Sequence, residues 1–161
     1  MAGPSSTRSR PGLSLMARAL QALAGREHSR QELRTKLLRW AAEEPDADAR
    51  VELVLEQLAQ RGHLSEARFV ESRVHARAAR FGNRRIEAEL RRHGLAPDDA
   101  TRAQLRSSEM ARALEVWRKK FGVPGATAAE RARQARFLTA RGFSSDVVRQ
   151  LVLRGADVDP A

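Results

Sequence analysis

Arg73, Arg77, Arg80 and Arg84 stand at i, i+4, i+7 and i+11, a spacing that would line them along one ridge of a helix. Guanidinium groups in such a row suit phosphate or carboxylate partners, which they grip through planar two-pronged hydrogen bonds. Between Arg68 and Arg92 there are eight arginines against three acids, Glu71, Glu87 and Glu89. Gly82 is expected to bend the chain, which places Arg84 and Arg85 at the head of the following helix. A second cluster gathers Arg118, Lys119, Lys120, Arg131, Arg133 and Arg136. The candidate contact residues are therefore Arg73, Arg77, Arg80, Arg84, Arg85, Lys119, Lys120, Arg131 and Arg136. Residue type alone leaves two partners open, a nucleic-acid backbone and an acidic protein face.

Other chemistry has little footing. There is no cysteine, so disulfides, thiolate metal sites and cysteine nucleophiles are excluded. His28, His63, His75 and His93 have no i, i+4 partner suited to a metal and are expected at surfaces or helix ends. The run Glu43, Glu44, Asp46 and Asp48 reads as a solvated loop that favours the start of the next helix electrostatically. No glycine-rich phosphate loop is present. The expectation is a protein with no catalytic residue, no metal and no cofactor.

Thirty Lys and Arg against 20 Asp and Glu give a formal charge of +10, which points to a polyanionic or acidic partner. Only Lys36, Lys119 and Lys120 are lysines, and an arginine-rich, alanine-rich composition is also how a GC-rich genome writes an ordinary helical protein. The clustering of the charge therefore carries more than its total. No apolar run approaches the roughly 18–20 residues that span a bilayer. Leu13 to Ala24 follows Arg8 and Arg10 and imitates a signal peptide, but Arg18 and Gln21 interrupt it with helical period, so it reads as the first helix.

These cations must be positioned by helices, since no stretch alternates apolar and polar residues. Gly62, Gly82, Gly94, Gly122 and Gly142 each close an apolar-periodic segment, and all six prolines fall outside such segments. Nine short helices are expected. The first carries Leu13, Met16, Leu20 and Leu23; the second opens at Ser29 and buries Leu33, Leu37 and Trp40; the third carries Val51, Val54, Leu55 and Leu58. The fourth bears Val70, Val74, Ala78 and Phe81, the fifth Ile86 and Leu90, and a weak sixth Ala100 and Leu105. The seventh carries Met110, Leu114, Trp117 and Phe121, the eighth Ala135 and Leu138, and the ninth Val147, Leu151 and Val152. Ser29–Glu32 and Thr127–Glu130 have the spacing of capping boxes.

The joints Leu58…Gly62-His63-Leu64, Leu90…Gly94-Leu95 and Leu138…Gly142-Phe143 share one Leu…Arg…Gly shape. Repetition at this spacing favours tandem three-helix units over a single compact bundle. The expected division is 13–64, 65–106 and 107–155, between tails at 1–12 and 156–161.

Leu64-Ser65-Glu66-Ala67-Arg68-Phe69-Val70, with Arg73 and Arg77, resembles a segment of the RecX regulatory proteins. Phe81-Gly82, Arg85-Ile86, Glu89-Leu90 and Gly94-Leu95 are similar to that family's most recognisable stretch. Lys120-Phe121 and Arg136-Phe137-Leu138…Arg141-Gly142-Phe143-Ser144 resemble its third repeat, and Ala19-Leu20, Ser29, Glu32-Leu33 and Lys36-Leu37 its opening. Ser65 stands where Asp is common and Val70 where Ala is usual. The resemblance covers about residues 16–153. It implies an all-α fold of three tandem three-helix repeats in an elongated, curved array, cytoplasmic and monomeric. It further implies binding to RecA and to its filament on single-stranded DNA, with inhibition of recombinase, ATPase and co-protease activities. Recombination, DNA repair and the SOS response would be modulated in consequence. Direct, sequence-independent binding to DNA is a further expectation, and a stand-alone basic nucleic-acid-binding protein is the alternative.

Overall fold

The computed structural model describes residues 12–154, and the expected tails at 1–12 and 156–161 lie, but for Gly12, outside them. Among the described residues the secondary structure is entirely helical, with eight helices and no strand. None of them is long and apolar enough to cross a membrane. The chain forms two compact units, one ending at Ser65 and the other beginning at Glu66.

The first unit holds α1 (Leu15–Gly25), α2 (Arg30–Trp40) and α3 (Ala47–Gln60). Ser14 starts α1 by accepting the Ala17 amide at 3.1 Å, and Ser29 does the same for Glu32 at the head of α2. The core is Leu15, Ala19, Leu33, Leu37, Ala41, Val51, Leu55, Leu58 and Leu64. Two expectations are corrected here. Helix α1 buries Leu15 and Ala19 and packs Met16, Ala22 and Leu23 against them, whereas Leu13 and Leu20 are exposed. The small Ala19 lets α1 approach its neighbours, which turns the helix away from the larger leucines. On α2 the buried series runs Leu33, Leu37, Ala41, so Trp40 falls beside it and is 41% exposed, under the Arg18 guanidinium.

His28, expected at the surface, is buried. Its Nε2 lies 3.0 Å from the Lys36 ammonium and its Nδ1 3.0 Å from the Arg26 carbonyl. An ammonium only donates, so Nε2 accepts and the ring's proton sits on Nδ1. Burial holds this imidazole below its ordinary pKa, reinforced by the charges of Arg26 and Lys36 and opposed by the Arg26 carbonyl and Glu32.

The second unit holds α4 (Glu66–Ala78), α5 (Asn83–Arg91), α6 (Asp99–Lys120), α7 (Ala128–Ala140) and α8 (Ser145–Arg154). The expected sixth and seventh helices are one helix of 22 residues, so position 106–107 falls inside α6 and the described residues hold eight helices rather than nine. No Gly or Pro interrupts it. Ser107 and Ser108 return their hydroxyls to the Gln104 carbonyl at 3.1 and 2.8 Å, satisfying themselves within the helix. Asp98 caps α6 through the Thr101 amide, and a complete capping box of Thr127 and Glu130 opens α7.

Two clusters of buried side chains lie along α6. Phe69, Ile86 and Leu90 meet Leu105 near its start; Ala100, expected inward, faces out. Leu114, Trp117, Leu138, Phe143, Val148 and Leu151 gather around its second half. Trp117 is fully buried, and its indole donates to Gln134, whose own amide donates to the Val123 carbonyl, both at 3.0 Å. The three glycine joints repeat one hydrogen-bond pattern. His63, Leu95 and Phe143 each donate to the leucine five residues back, over a Gly62, Gly94 or Gly142 with φ between +71° and +86°.

Candidate basic face

The basic residues of the second unit assemble around two phenylalanine rings. After α4 ends at Ala78 the chain turns through Phe81 and Gly82 into α5. Phe81, expected on the apolar stripe, is only half-buried. The guanidinium carbons of Arg77, Arg80, Arg85 and Arg141 stand 5.9, 5.6, 4.3 and 5.8 Å from its ring centroid. Arg141 also lies 4.7 Å from the Phe137 centroid, with the Lys120 ammonium 6.0 Å from that ring and Phe121 edge-on to it at 5.2 Å. A continuous band of cations and aromatic faces thus runs from α4 to α7. A guanidinium over a ring gains from the ring's negative face while its in-plane N–H groups stay available to an anion.

Backbone contacts between two joints make this convergence possible. The Gly82 amide donates to the Arg141 carbonyl at 2.9 Å, and the Arg84 amide to the Gly142 carbonyl at 3.1 Å. A Cβ on Gly82 would lie 2.2 Å from the Phe143 nitrogen, and one on Gly142 would lie 2.5 Å from the Arg85 Cβ. Glycine is needed at both places because two backbones meet there. Arg141 ties the same joint by donating to the Arg80 carbonyl at 3.3 Å.

Beneath the joints, α6 supplies two polar side chains. Glu109 is buried, and one of its oxygens accepts the amides of Asn83 at 3.1 Å and Ser144 at 3.2 Å. A single carboxylate therefore sits at the N-termini of both α5 and α8, where the helix dipoles favour negative charge. Arg112 donates to the carbonyls of Ala78, Phe81 and Leu105, to the Asn83 side chain and to the Ser108 hydroxyl. Burial holds its pKa below the ordinary value, and the neighbouring Glu109 opposes that in part. Together they fix the turn that carries Arg80, Phe81, Arg84 and Arg85.

The expected contact residues divide accordingly. Arg73 and Arg77 both pair with Glu89 of α5, at 3.3 and 2.9 Å, so part of the ridge is neutralised within the molecule. Arg80 and Arg85 belong to the band and, among the described residues, form no ion pair. Arg84 is exposed at the head of α5, beyond the bend at Gly82. Lys120 joins the band through Phe137. Lys119 and Arg136 are exposed and neither the ammonium nor the guanidinium lies over the two rings, and Arg131 holds the Gly125 and Ala126 carbonyls at 3.1 and 3.0 Å. The residues that spacing did not single out are Arg141, which links the rings, and Glu109 and Arg112, which hold the turn. Arg141 carried one available signal, its place inside the repeated Leu…Arg…Gly joint.

Fold and site define a protein whose described residues form two helical units, the second with one face lined by arginine. The description "RecX, first three-helix domain" matches residues 16–52, the second such domain 65–103 and the third 107–152. A protein named "Regulatory protein RecX" from Leptothrix cholodnii is 56% identical over 150 residues, covering 92% of each chain. One of the same name from Ralstonia nicotianae is 50% identical over 151 residues, covering 92% of this chain and 91% of its own. Another, from Neisseria meningitidis, is 36% identical over 142 residues, with 86% and 89% covered. The chain belongs to the RecX family.

Proposed function

We propose that this protein binds RecA and the RecA filament on single-stranded DNA and inhibits its recombinase, ATPase and co-protease activities. Recombination and DNA repair in the cytoplasm would be restrained as a result. Family membership supports the partner, and the observation that carries the mechanism is the arginine band around Phe81 and Phe137. Arg80, Arg85 and Arg141 crowd within 6 Å of one ring, and guanidinium groups so placed repel each other unless an anion joins them, as Glu89 already joins Arg77. A nucleoprotein filament offers both phosphates and acidic protein surface. In this reading the units 13–64, 65–106 and 107–155 act as successive modules, Arg80, Arg84, Arg85 and Arg141 make the main contacts, and Lys120 extends them. Arg73 and Arg77 act through Glu89, while Lys119, Arg131 and Arg136 are peripheral. No catalytic residue, metal or cofactor takes part, and the protein works as a monomer.

The test replaces Arg80, Arg84 and Arg85 together by Glu. Helicity by circular dichroism is expected to persist while co-sedimentation with RecA filaments and inhibition of ATP hydrolysis are lost. Full inhibition by the folded triple variant would remove this face from the mechanism. Wild-type binding should weaken with salt at a slope of about −0.7 per phosphate contact on single strands. Tight binding to naked DNA with no preference for RecA filaments would favour a stand-alone nucleic-acid-binding protein instead.

A further inference from the structure

A second surface of the same unit has the opposite character. Between α4 and the first half of α6 lies a cleft of about 730 Å³. Val70, Val74 and Ala78 supply one wall at i, i+4 and i+8, an apolar line roughly 12 Å long at 1.5 Å per residue. Leu95 and Leu105 face it from the α5–α6 connection and from α6. Val70, Val74, Ala78 and Leu95 pack against the core around Leu105 but are only partly buried, so the trough presents apolar surface that the second unit does not fully cover. Its rim carries the carboxylates of Glu66, Glu71 and Asp98 against Arg68, with the His75 imidazole beside them. From Glu66 to Arg154 the chain has twenty Lys and Arg and ten Asp and Glu, so the rim reverses the sign of the unit around it.

We propose that this cleft is a docking site for an amphipathic helix with basic flanks, supplied by a partner protein. The length and straightness of the apolar wall match a helix that presents anchors at i, i+4 and i+7. The acidic rim selects among such helices by charge, rejecting phosphates and acidic segments that the opposite character of the arginine band attracts. The protein would then have two faces of opposite preference, one for an anionic partner and one for a cationic helix.

The probe is a fluorescein-labelled synthetic helix of about 18 residues with Leu at i, i+4 and i+7 and Lys on both flanks, titrated with the full-length chain. Two control peptides keep the composition with scrambled periodicity, or replace Lys by Glu. Fluorescence anisotropy should show saturable binding of the Lys peptide alone that weakens with salt. Glu71→Lys lies on the exposed rim and should weaken that binding about tenfold or more. Val74→Asp should do the same, with its melting temperature measured alongside, and Arg84→Glu should leave it unchanged. Equal binding of the scrambled or Glu-flanked peptide, or wild-type affinity in Glu71→Lys, would overturn the proposal. So would concentration-dependent self-association in sedimentation that Glu71→Lys abolishes, since the cleft would then belong to a second copy of the chain.

Discussion

Between Gly12 and Ser65 the chain carries eight Lys and Arg and eight Asp and Glu; between Glu66 and Arg154 it carries twenty and ten. Over the described residues the first unit is therefore neutral and the second carries +10, while outside them Arg8 and Arg10 precede the first unit and Asp157 and Asp159 follow the second. The two units also spend their arginines differently. In the first, Arg26 pairs with Glu32, Arg30 with Glu52 and Glu56, Arg34 with Asp48 and Glu52, and Arg50 with Glu44. In the second, Arg73, Arg77, Arg102, Arg118 and Arg149 also pair with acids, but Arg80, Arg85 and Arg141 lie over aromatic rings, and Arg112 and Arg131 hold backbone carbonyls. A compositional bias toward arginine would have spread the excess over both. What distinguishes a binding face from a solvated one here is the company the cations keep.

The sharpest contrast between the units is expected at their glycine joints. Gly62 and Gly142 share a left-handed φ, +74° and +86°, but a Cβ on Gly62 would meet nothing within 4 Å. Gly62→Ala should cost about 1–2 kcal/mol, the strain of that conformation alone. Gly142→Ala adds a backbone collision with Arg85 and should cost about 3 kcal/mol or more. Urea denaturation of the two variants checks this, and equal losses would mean the second joint relaxes freely.

Next in size is Glu109→Ala, which strips two helix N-termini of their buried acceptor and leaves Arg112 without its counter-charge. A loss of about 3 kcal/mol is expected by chemical denaturation. A loss below about 1 kcal/mol would show that water replaces the carboxylate there.

The third effect belongs to the first unit and depends on pH. The unfolded chain protonates His28 near the ordinary value of 6.5, whereas the folded chain keeps the ring neutral to lower pH. Stability from this group is therefore complete above about 6.5 and is lost as the pH falls below it, levelling off once the folded form also protonates. Thermal melts of wild type should decline across that window more steeply than those of His28→Gln. Parallel pH profiles would take His28 out of the linkage.

The smallest change is expected from Arg34→Ala, which breaks the half-exposed pairs with Asp48 and Glu52. Such pairs are worth roughly 0.2–1 kcal/mol, and the salt dependence of filament binding should not move. A shift in that salt dependence would bring the first unit into the binding face.

Much of this was legible from the chain alone. The all-helical class, the glycine joints with their shared Leu…Arg…Gly shape and the gathering of arginine near Gly82 follow from local rules of period and punctuation. The failures have local causes too. A three-or-four-residue period admits neighbouring stripes, so Leu13, Leu20 and Trp40 competed with Leu15, Ala19 and Ala41 for the inward face, and small residues won where helices approach closely. The weak apolar pattern around Ala100 and Leu105 hid the continuity of α6, in which Ser107 and Ser108 bond their hydroxyls back within the helix. His28, Glu109 and Arg112 look like surface residues in any window, and their burial depends on partners brought in from elsewhere in the fold. The pairing of Arg73 and Arg77 with Glu89 was hidden for the same reason, since it crosses the bend at Gly82.

The shared carboxylate of Glu109 has a consequence for motion. Because one oxygen holds the amides of both Asn83 and Ser144, the heads of α5 and α8 share a single anchor. The two amides, distant in sequence, should exchange their hydrogens with solvent as one cooperative opening, at matching rates and with matching sensitivity to denaturant. An anion seated among Arg80, Arg85 and Arg141 would slow exchange at Ser144 as well as at Asn83, carrying news of an occupied arginine band to the head of the last helix.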